Sequence, residues 1–208
     1  DRYFLVSNSD AHSPAKLGRE ANLFDAELSW GGLSGALSGG GRGPRSTIEF
    51  FPEEGKYHFD GHRNCGLRLT PAEAEAAGGV CPVCGRKLTT GVLHRVEQLA
   101  DREEDFRRPD AAPFERIVPL PEIIGASVGR SAAGAAVERA YEAMLAELGP
   151  EFSILRELPL EDIRRVAGPC VAEGVRRVRA GELHWEPGFD GEYGRVEILS
   201  RDEIGAFS

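Results

Sequence analysis

His62-Arg-Asn-Cys65 and Cys81-Pro-Val-Cys84-Gly85 are two ligand pairs of identical spacing, with 15 residues between them. Two residues between ligands let one tight turn present both side chains to a single ion, and Gly85 relieves the backbone where amides turn toward sulfur. Two such knuckles offer four soft or borderline donors in a tetrahedron, the pattern of a closed structural zinc site. His58 and Asp60 stand close enough to replace His62 as the fourth donor, but only His62 keeps the spacing. Free or redox-active thiols are the competing reading. The surrounding stretch is poor in large apolar residues, so a metal is needed to hold it folded. Residues 56–108 are therefore expected to form a small zinc-ribbon-like module.

Outward from that module, the chain reads as mixed α/β. Its 208 residues suit one and a half or two domains, and 41% hydrophobic with 28% charged residues is enough for a real core. No run of 18 apolar residues exists, which argues against a membrane span, and no basic-then-apolar leader opens the sequence. Four cysteines, two of them in Cys-x-x-Cys, point to a metal site in a cytoplasmic protein rather than a disulfide framework. Cys170, in the helical tail, reads as a core thiol.

The net charge of −9 argues against a general polyanion binder, but the charge is uneven. Residues 109–208 carry 11 Lys and Arg against 18 Asp and Glu, whereas residues 42–108 carry 11 against 11. The acidity sits in the tail, and the middle is left free to meet an anion.

Along the chain, Phe4-Leu-Val reads as a buried strand. Ser13-Pro14 opens a short helix with Leu17, Ala21 and Phe24 at helical spacing. A second helix carries Trp30, Leu33 and Leu37 behind Ser29, and Thr47-Ile-Glu-Phe-Phe is a strand closed by Pro52 and Gly55. A helix is expected over 93–102, a connector over 109–121, a long amphipathic helix over 131–148, and two more helices over 160–166 and 171–180. The last segment alternates as two strands around Pro187-Gly-Phe-Asp-Gly, a hairpin. A single methionine, Met144, and a start at Asp1 suggest a piece of a longer protein, cut inside a domain.

Asp10 and His12 lie two apart just past the first strand. On extended backbone both would face one side, at the place where α/β barrels carry their active-site loops. A carboxylate and an imidazole there could bind a metal that activates water; a turn-forming Asp and a capping His are the plainer alternative.

Five stretches of the chain carry a family likeness. Ser9-Asp-Ala-His-Ser-Pro-Ala-Lys-Leu-Gly-Arg-Glu-Ala-Asn resembles the closing metal-binding motif of PHP-domain phosphoesterases. Thr47-Ile-Glu-Phe-Phe-Pro-Glu-Glu-Gly-Lys-Tyr-His-Phe-Asp-Gly-His-Arg-Asn-Cys, with Val80-Cys-Pro-Val-Cys-Gly and Gly91-Val-Leu-His-Arg-Val-Glu-Gln-Leu-Ala-Asp-Arg, resembles endonuclease Q. The tail Pro187-Gly-Phe-Asp-Gly-Glu-Tyr-Gly resembles the end of the same family.

The resemblance implies a DNA-repair endonuclease that cuts 5′ of deaminated bases such as uracil, hypoxanthine and xanthine, or of abasic sites, by metal-activated water. It implies three regions: 1–55, the end of a PHP (β/α)7 barrel; 56–108, the zinc module; and 109–208, a helical domain with a terminal hairpin. Asp10 and His12 would be ligands of barrel metals, zinc or manganese, and catalytic residues in the full-length protein. His62, Cys65, Cys81 and Cys84 would hold the structural zinc. The family's H-x-H and its other ligands have no match here, so the chain alone is expected to lack a complete active site. Damaged DNA is the implied partner, with a sliding clamp or helicase as candidate partners of the tail. Lys56, Arg63, Arg68, Arg86, Lys87 and Arg95 are candidate phosphate contacts; each could equally be a solvated surface charge. Tyr57 and Phe59 could stack on a base. The alternatives are a non-catalytic zinc-ribbon DNA-binding module and a PHP phosphatase of a small phosphate ester.

Overall fold

The computed structural model describes residues 4–38, 43–104, 106–109 and 111–207. In chain order its elements are β1 (Ala21–Leu23), α1 (Trp30–Leu37), β2 (Ser46–Glu49), β3 (Asp60–His62), β4 (Leu67–Leu69), α2 (Pro71–Ala76), α3 (Val92–Leu99), β5 (Phe114–Arg116), α4 (Leu120–Val128), α5 (Ala135–Leu148), α6 (Glu151–Arg156), α7 (Leu160–Ala180), β6 (His184–Glu186), β7 (Arg195–Glu197) and α8 (Arg201–Phe207). They form two compact units. One comprises Asp1–Phe50, Arg107–Glu182 and Ile198–Ser208; the other comprises Phe51–Phe106 and Leu183–Glu197. The mixed α/β class is as expected.

The first unit is built on apolar helix packing. Leu120, Ile123 and Ile124 of α4, Val137 and Met144 of α5, Ile154 and Leu155 of α6, and Ile163, Val175 and Val178 of α7 are buried together with Ile198. Each such side chain contributes about 1.5–3 kcal/mol on leaving water. A mixed sheet of order β1-β2-β5 lies in the same unit, antiparallel between β1 and β2 and parallel between β2 and β5. The two helices expected over 160–180 are present as α7, interrupted at Gly168 (φ 87°, ψ 169°). Pro169 removes a donor and disfavours helical backbone at the residue before it, and glycine accepts the resulting positive φ.

Several local expectations fail, each for a physical reason. Phe4-Leu-Val is not a buried strand: Leu5 is 86% exposed, and the described residues give the segment no ladder partner. The expected helix with Leu17, Ala21 and Phe24 is only a 3-10 turn over Pro14–Lys16, and Ala21–Leu23 pairs with β2 instead. Cross-strand hydrogen bonds there override a weak helical spacing. The expected connector over 109–121 contains β5 and the start of α4. Proline is compatible with a first helical turn, and Pro119 and Pro121 flank the helix's first residue. The Leu120 amide donates to Glu151 Oε1 (2.8 Å), which caps that start.

The second unit holds the Cys/His region and the β6–β7 hairpin, which sequence order attaches to the helical tail. Its secondary structure is short: β3 pairs antiparallel with β4, with Gly61 opposite Arg68 and His62 opposite Leu67. Thr70-Pro-Ala-Glu73 starts α2 with a complete capping box, a start signal carried by the sequence itself. Ala74, Cys81 and Leu88 are its buried cluster in this region, with Cys65, Leu67 and Leu69 packed against them. No helix among the described residues is long and apolar enough to cross a membrane.

Candidate metal centre and nucleic-acid interface

Each knuckle is made by a turn that ends in a left-handed glycine. After His62 at the end of β3, Arg63–Cys65 forms a 3-10 turn closed by Gly66 (φ 60°), whose amide donates to the Arg63 carbonyl. In the second knuckle the Cys81 amide donates to the Arg86 carbonyl (2.7 Å), and Gly85 (φ 72°) donates back to the Cys81 carbonyl (2.8 Å). A side chain at either glycine would meet open space, so the requirement is one of backbone angle alone.

These turns bring one donor atom from each of His62, Cys65, Cys81 and Cys84 within 4.8 Å of one another. His62 Nδ1 lies 3.5 Å from Cys84 Sγ. Among the described residues this is the one group of three or more such side chains placed to hold a metal ion. Two of the thiols are shifted in opposite directions. Burial and bonding to the Cys84 and Cys81 thiols push Cys65 up to about 11. Burial also raises Cys81, but amide donation from Cys84 and Val83, with the neighbouring thiols, outweighs it and brings Cys81 down to about 7. A thiolate supported by amides is the form a metal binds. Three sulfurs and an imidazole, with no fifth donor in the group, suit a closed tetrahedral ion.

The two alternative fourth donors are occupied elsewhere. Asp60 is 1% exposed, and its carboxylate accepts from the Gly91 amide (3.2 Å) and faces His94 Nδ1 at 2.9 and 3.0 Å. It fastens the start of α3 to β3. His58 stacks on Phe59 (centroids 5.2 Å). Neither His94 nor Asp190 was marked by sequence. Asp190, at φ 42°, accepts from Thr89 Oγ1 (2.5 Å) and the Arg63 amide (2.6 Å), tying the hairpin loop to the first knuckle. Its carboxyl is held below the usual range: burial would raise it, and these two bonds reverse the shift. Only the φ-tolerant Pro-Gly-Phe-Asp-Gly turn hinted at it.

Asp10 and His12 are both exposed. Asp10 has φ 46°, so the backbone is not extended there, and the shared-face expectation loses its basis. His12 Nδ1 lies 2.7 Å from the Asp10 carbonyl oxygen. The six candidate phosphate contacts, Lys56, Arg63, Arg68, Arg86, Lys87 and Arg95, are all exposed and all in the unit with the metal cluster. Arg68 donates to the Pro187 carbonyl (3.0 Å) and lies over the Phe189 ring; Arg95 donates to Gln98. Phe59 is half-buried and Tyr57 is exposed. Cys170 is half-buried and donates to the Ser127 carbonyl, as a packing thiol would.

Fold and site together define a mixed α/β protein whose helical unit is accompanied by a unit carrying a His/Cys cluster placed to hold a metal ion. Residues 119–182 match a family described as the MJ0043 C-terminal domain. The whole chain resembles endonuclease Q. It superposes on the lesion-specific endonuclease PfuEndoQ of Pyrococcus furiosus with a TM-score of 0.83 at 31% identity, covering 100% of this chain and 54% of that one. It superposes equally on an endonuclease Q complexed with a 27-mer duplex substrate carrying an abasic lesion at the active site: TM-score 0.81, 31% identity, 96% and 50% covered. In sequence it is 31% identical to the uncharacterized protein MJ0043 of Methanocaldococcus jannaschii, over 93% of this chain and 25% of that protein. It is 29% identical to the uncharacterized protein YqxK of Bacillus subtilis, over 94% and 47%. The chain thus spans about half the length of the solved structures and a quarter to a half of these relatives.

Proposed function

We propose that this chain is part of a DNA-repair endonuclease that cuts the phosphodiester 5′ of a deaminated base (uracil, hypoxanthine or xanthine) or an abasic site. The observation that carries this reading is the whole-length likeness to endonuclease Q at 31% identity, including a complex with lesion-bearing duplex DNA. In this reading residues 1–55 belong to a PHP-type barrel, 56–108 to the zinc module and 109–208 to the helical domain, whose terminal hairpin joins the compact unit of the zinc module. His62, Cys65, Cys81 and Cys84 hold one structural zinc that fixes the knuckles. Asp10 and His12 contribute to a barrel site for zinc or manganese; metals there, when bound, supply Lewis-acid activation of water. The exposed Lys and Arg of the metal-binding unit hold the DNA backbone.

The test is a nicking assay on a uracil-containing duplex, using this sequence extended to the length of its relatives and loaded with manganese or zinc. Cleavage 5′ of uracil is expected, abolished by Asp10→Ala or His12→Ala. No cleavage by a metal-loaded extended protein sinks the endonuclease reading.

A second reading, a non-catalytic zinc-binding DNA module, is favoured by one fact: all four donors of the His/Cys cluster lie within one compact unit. Metal content of the extended protein separates the two. About one zinc per chain supports the module, and roughly two or three metals more support the barrel site.

A further inference from the structure

Tyr193 and Tyr57 are two of the most exposed aromatic side chains in the metal-binding unit, at 73% and 45%. They flank a single cation. Lys56 Nζ lies 5.6 Å from the centre of the Tyr57 ring and 5.8 Å from that of Tyr193. Among the described residues neither ring stacks on another aromatic ring. Large aromatic surface left in water at one place, with a cation beside it, is characteristic of a binding surface rather than a core.

The backbone beneath these rings is rigid. Gly188 donates to the Glu53 carbonyl (2.9 Å), Gly191 to the Lys56 carbonyl (2.8 Å) and Gly194 to the Glu54 carbonyl (3.0 Å), so the loop bearing Tyr193 is laced to the segment bearing Lys56 and Tyr57. A Cβ on Gly194 would come within 2.0 Å of the Glu53 carbonyl oxygen, and one on Gly188 within 2.4 Å of that of Gly55. Only glycine permits this approach. Asp190 pins the same loop through Thr89 and the Arg63 amide, and the Tyr57 carbonyl accepts from the first amide of α3 (2.7 Å). Rings displayed on a scaffold already fixed lose little entropy when a ligand stacks on them.

We propose that Tyr57 and Tyr193 form a stacking platform for an unpaired nucleotide of a DNA strand, with Lys56 between them neutralising its phosphate. The proposal rests on the DNA reading above and adds which side chains meet the strand and in what form. Charge decides for an open strand over a paired one. A groove that tracks duplex phosphates needs many cations, whereas beside these two rings stand Lys56, Arg63, whose guanidinium approaches Gly191, and the exposed Glu192 that precedes Tyr193. Stacking on a π face needs no such excess of positive charge and tolerates any base. Tyr57 was a sequence candidate; Tyr193 was not, because 136 positions separate it from Tyr57 in the chain. Phe59, the other sequence candidate, has its ring against His58 instead.

The test uses the zinc-loaded chain and a single strand carrying 2-aminopurine, whose fluorescence falls when it stacks. Binding with quenching is expected. Tyr193→Ala and Tyr57→Ala should each weaken binding about 5- to 150-fold with loss of quenching, the size of one lost base–aromatic stack. Tyr193→Phe should keep both, and Tyr193→Leu, which keeps apolar bulk without a π face, should lose quenching. Lys56→Ala should lower the salt slope by about 0.7 for a single strand and leave quenching in place. Unchanged zinc content shows that each variant is folded. A chain that binds the lesion duplex but gives Tyr193→Ala and Tyr193→Leu the affinity and quenching of the parent overturns this inference alone. A chain that binds neither single strand nor lesion duplex overturns the DNA reading, and this one with it.

Discussion

The helical unit and the metal-binding unit are held together by different physics. In the first, buried Leu, Ile, Val and Met side chains from α4, α5, α6 and α7 close on one another. In the second, the cluster around the knuckles is Ala74, Cys81 and Leu88 with a few half-buried neighbours, and one of its buried members is itself a metal donor. Apolar burial scales with area, so a region with little apolar area must draw stability from elsewhere. Here a set of specific polar ties contributes, Asp60 to His94 and Gly91 and Asp190 to Thr89 and Arg63, beside four side chains placed to hold a metal ion. Ties of that kind fix geometry residue by residue.

The difference can be broken most sharply at the metal. Zinc binding to small modules is worth roughly 10–16 kcal/mol, more than the knuckle cluster can supply. Chelation, or Cys81→Ser, is therefore expected to unfold the second unit while leaving the helices of the first. Trp185, its ring tilted against Phe51 with centroids 4.5 Å apart, reports on the second unit through its fluorescence, and far-ultraviolet circular dichroism reports on the first. Simultaneous loss of both signals would show that the units do not stand separately.

The converse perturbation is Ile123→Ala, at a fully buried site of α4. It should cost about 2–5 kcal/mol in denaturant unfolding followed by circular dichroism, with zinc content unchanged. A smaller effect is expected from His94→Ala, which leaves the buried Asp60 carboxylate with the Gly91 amide as its remaining partner. About 1–3 kcal/mol should be lost from the metal-binding unit, read as a lower midpoint of the Trp185 transition.

The smallest effect concerns acid. Glu173 is held down to about 2 by bonds from Arg176 and Arg177, and Glu203 to about 2 by Arg177 and the Ser200 amide. Both are ordinarily near 4.5, so their stabilisation is complete above that pH and is lost as pH falls toward 2. These groups are partly exposed, which limits the gain. Glu173→Gln should flatten the decline in the melting temperature of the helical unit between those limits, and an unaltered slope would remove the pair from the account.

What sequence made legible follows the range over which each feature is specified. The four donors were readable because each pair is set by two intervening residues, and one turn delivers both. The long helices were readable from their spacing, and the break at Gly168-Pro169 from two residues with known backbone limits. The 14–24 helix was misread because three apolar residues at helical spacing can also serve a strand once β2 offers hydrogen bonds. The start of α4 was misread because proline both breaks helices and begins them. Asp60 with His94, and Asp190 with Thr89, could not be read at all: 34 and 101 residues of sequence separation hide them.

By itself, then, the sequence determined the chemistry that neighbours along the chain can encode: a thiol and imidazole set fit for zinc, helices with one apolar face, a hairpin turn. Tertiary structure alone decided which carboxylates are spent on internal ties, that the hairpin joins the metal-binding unit, and that Tyr193 comes to stand beside Lys56 and Tyr57. The reason is that hydrogen bonds and burial act on distance in space, and only the folded chain sets that distance for residues far apart in order.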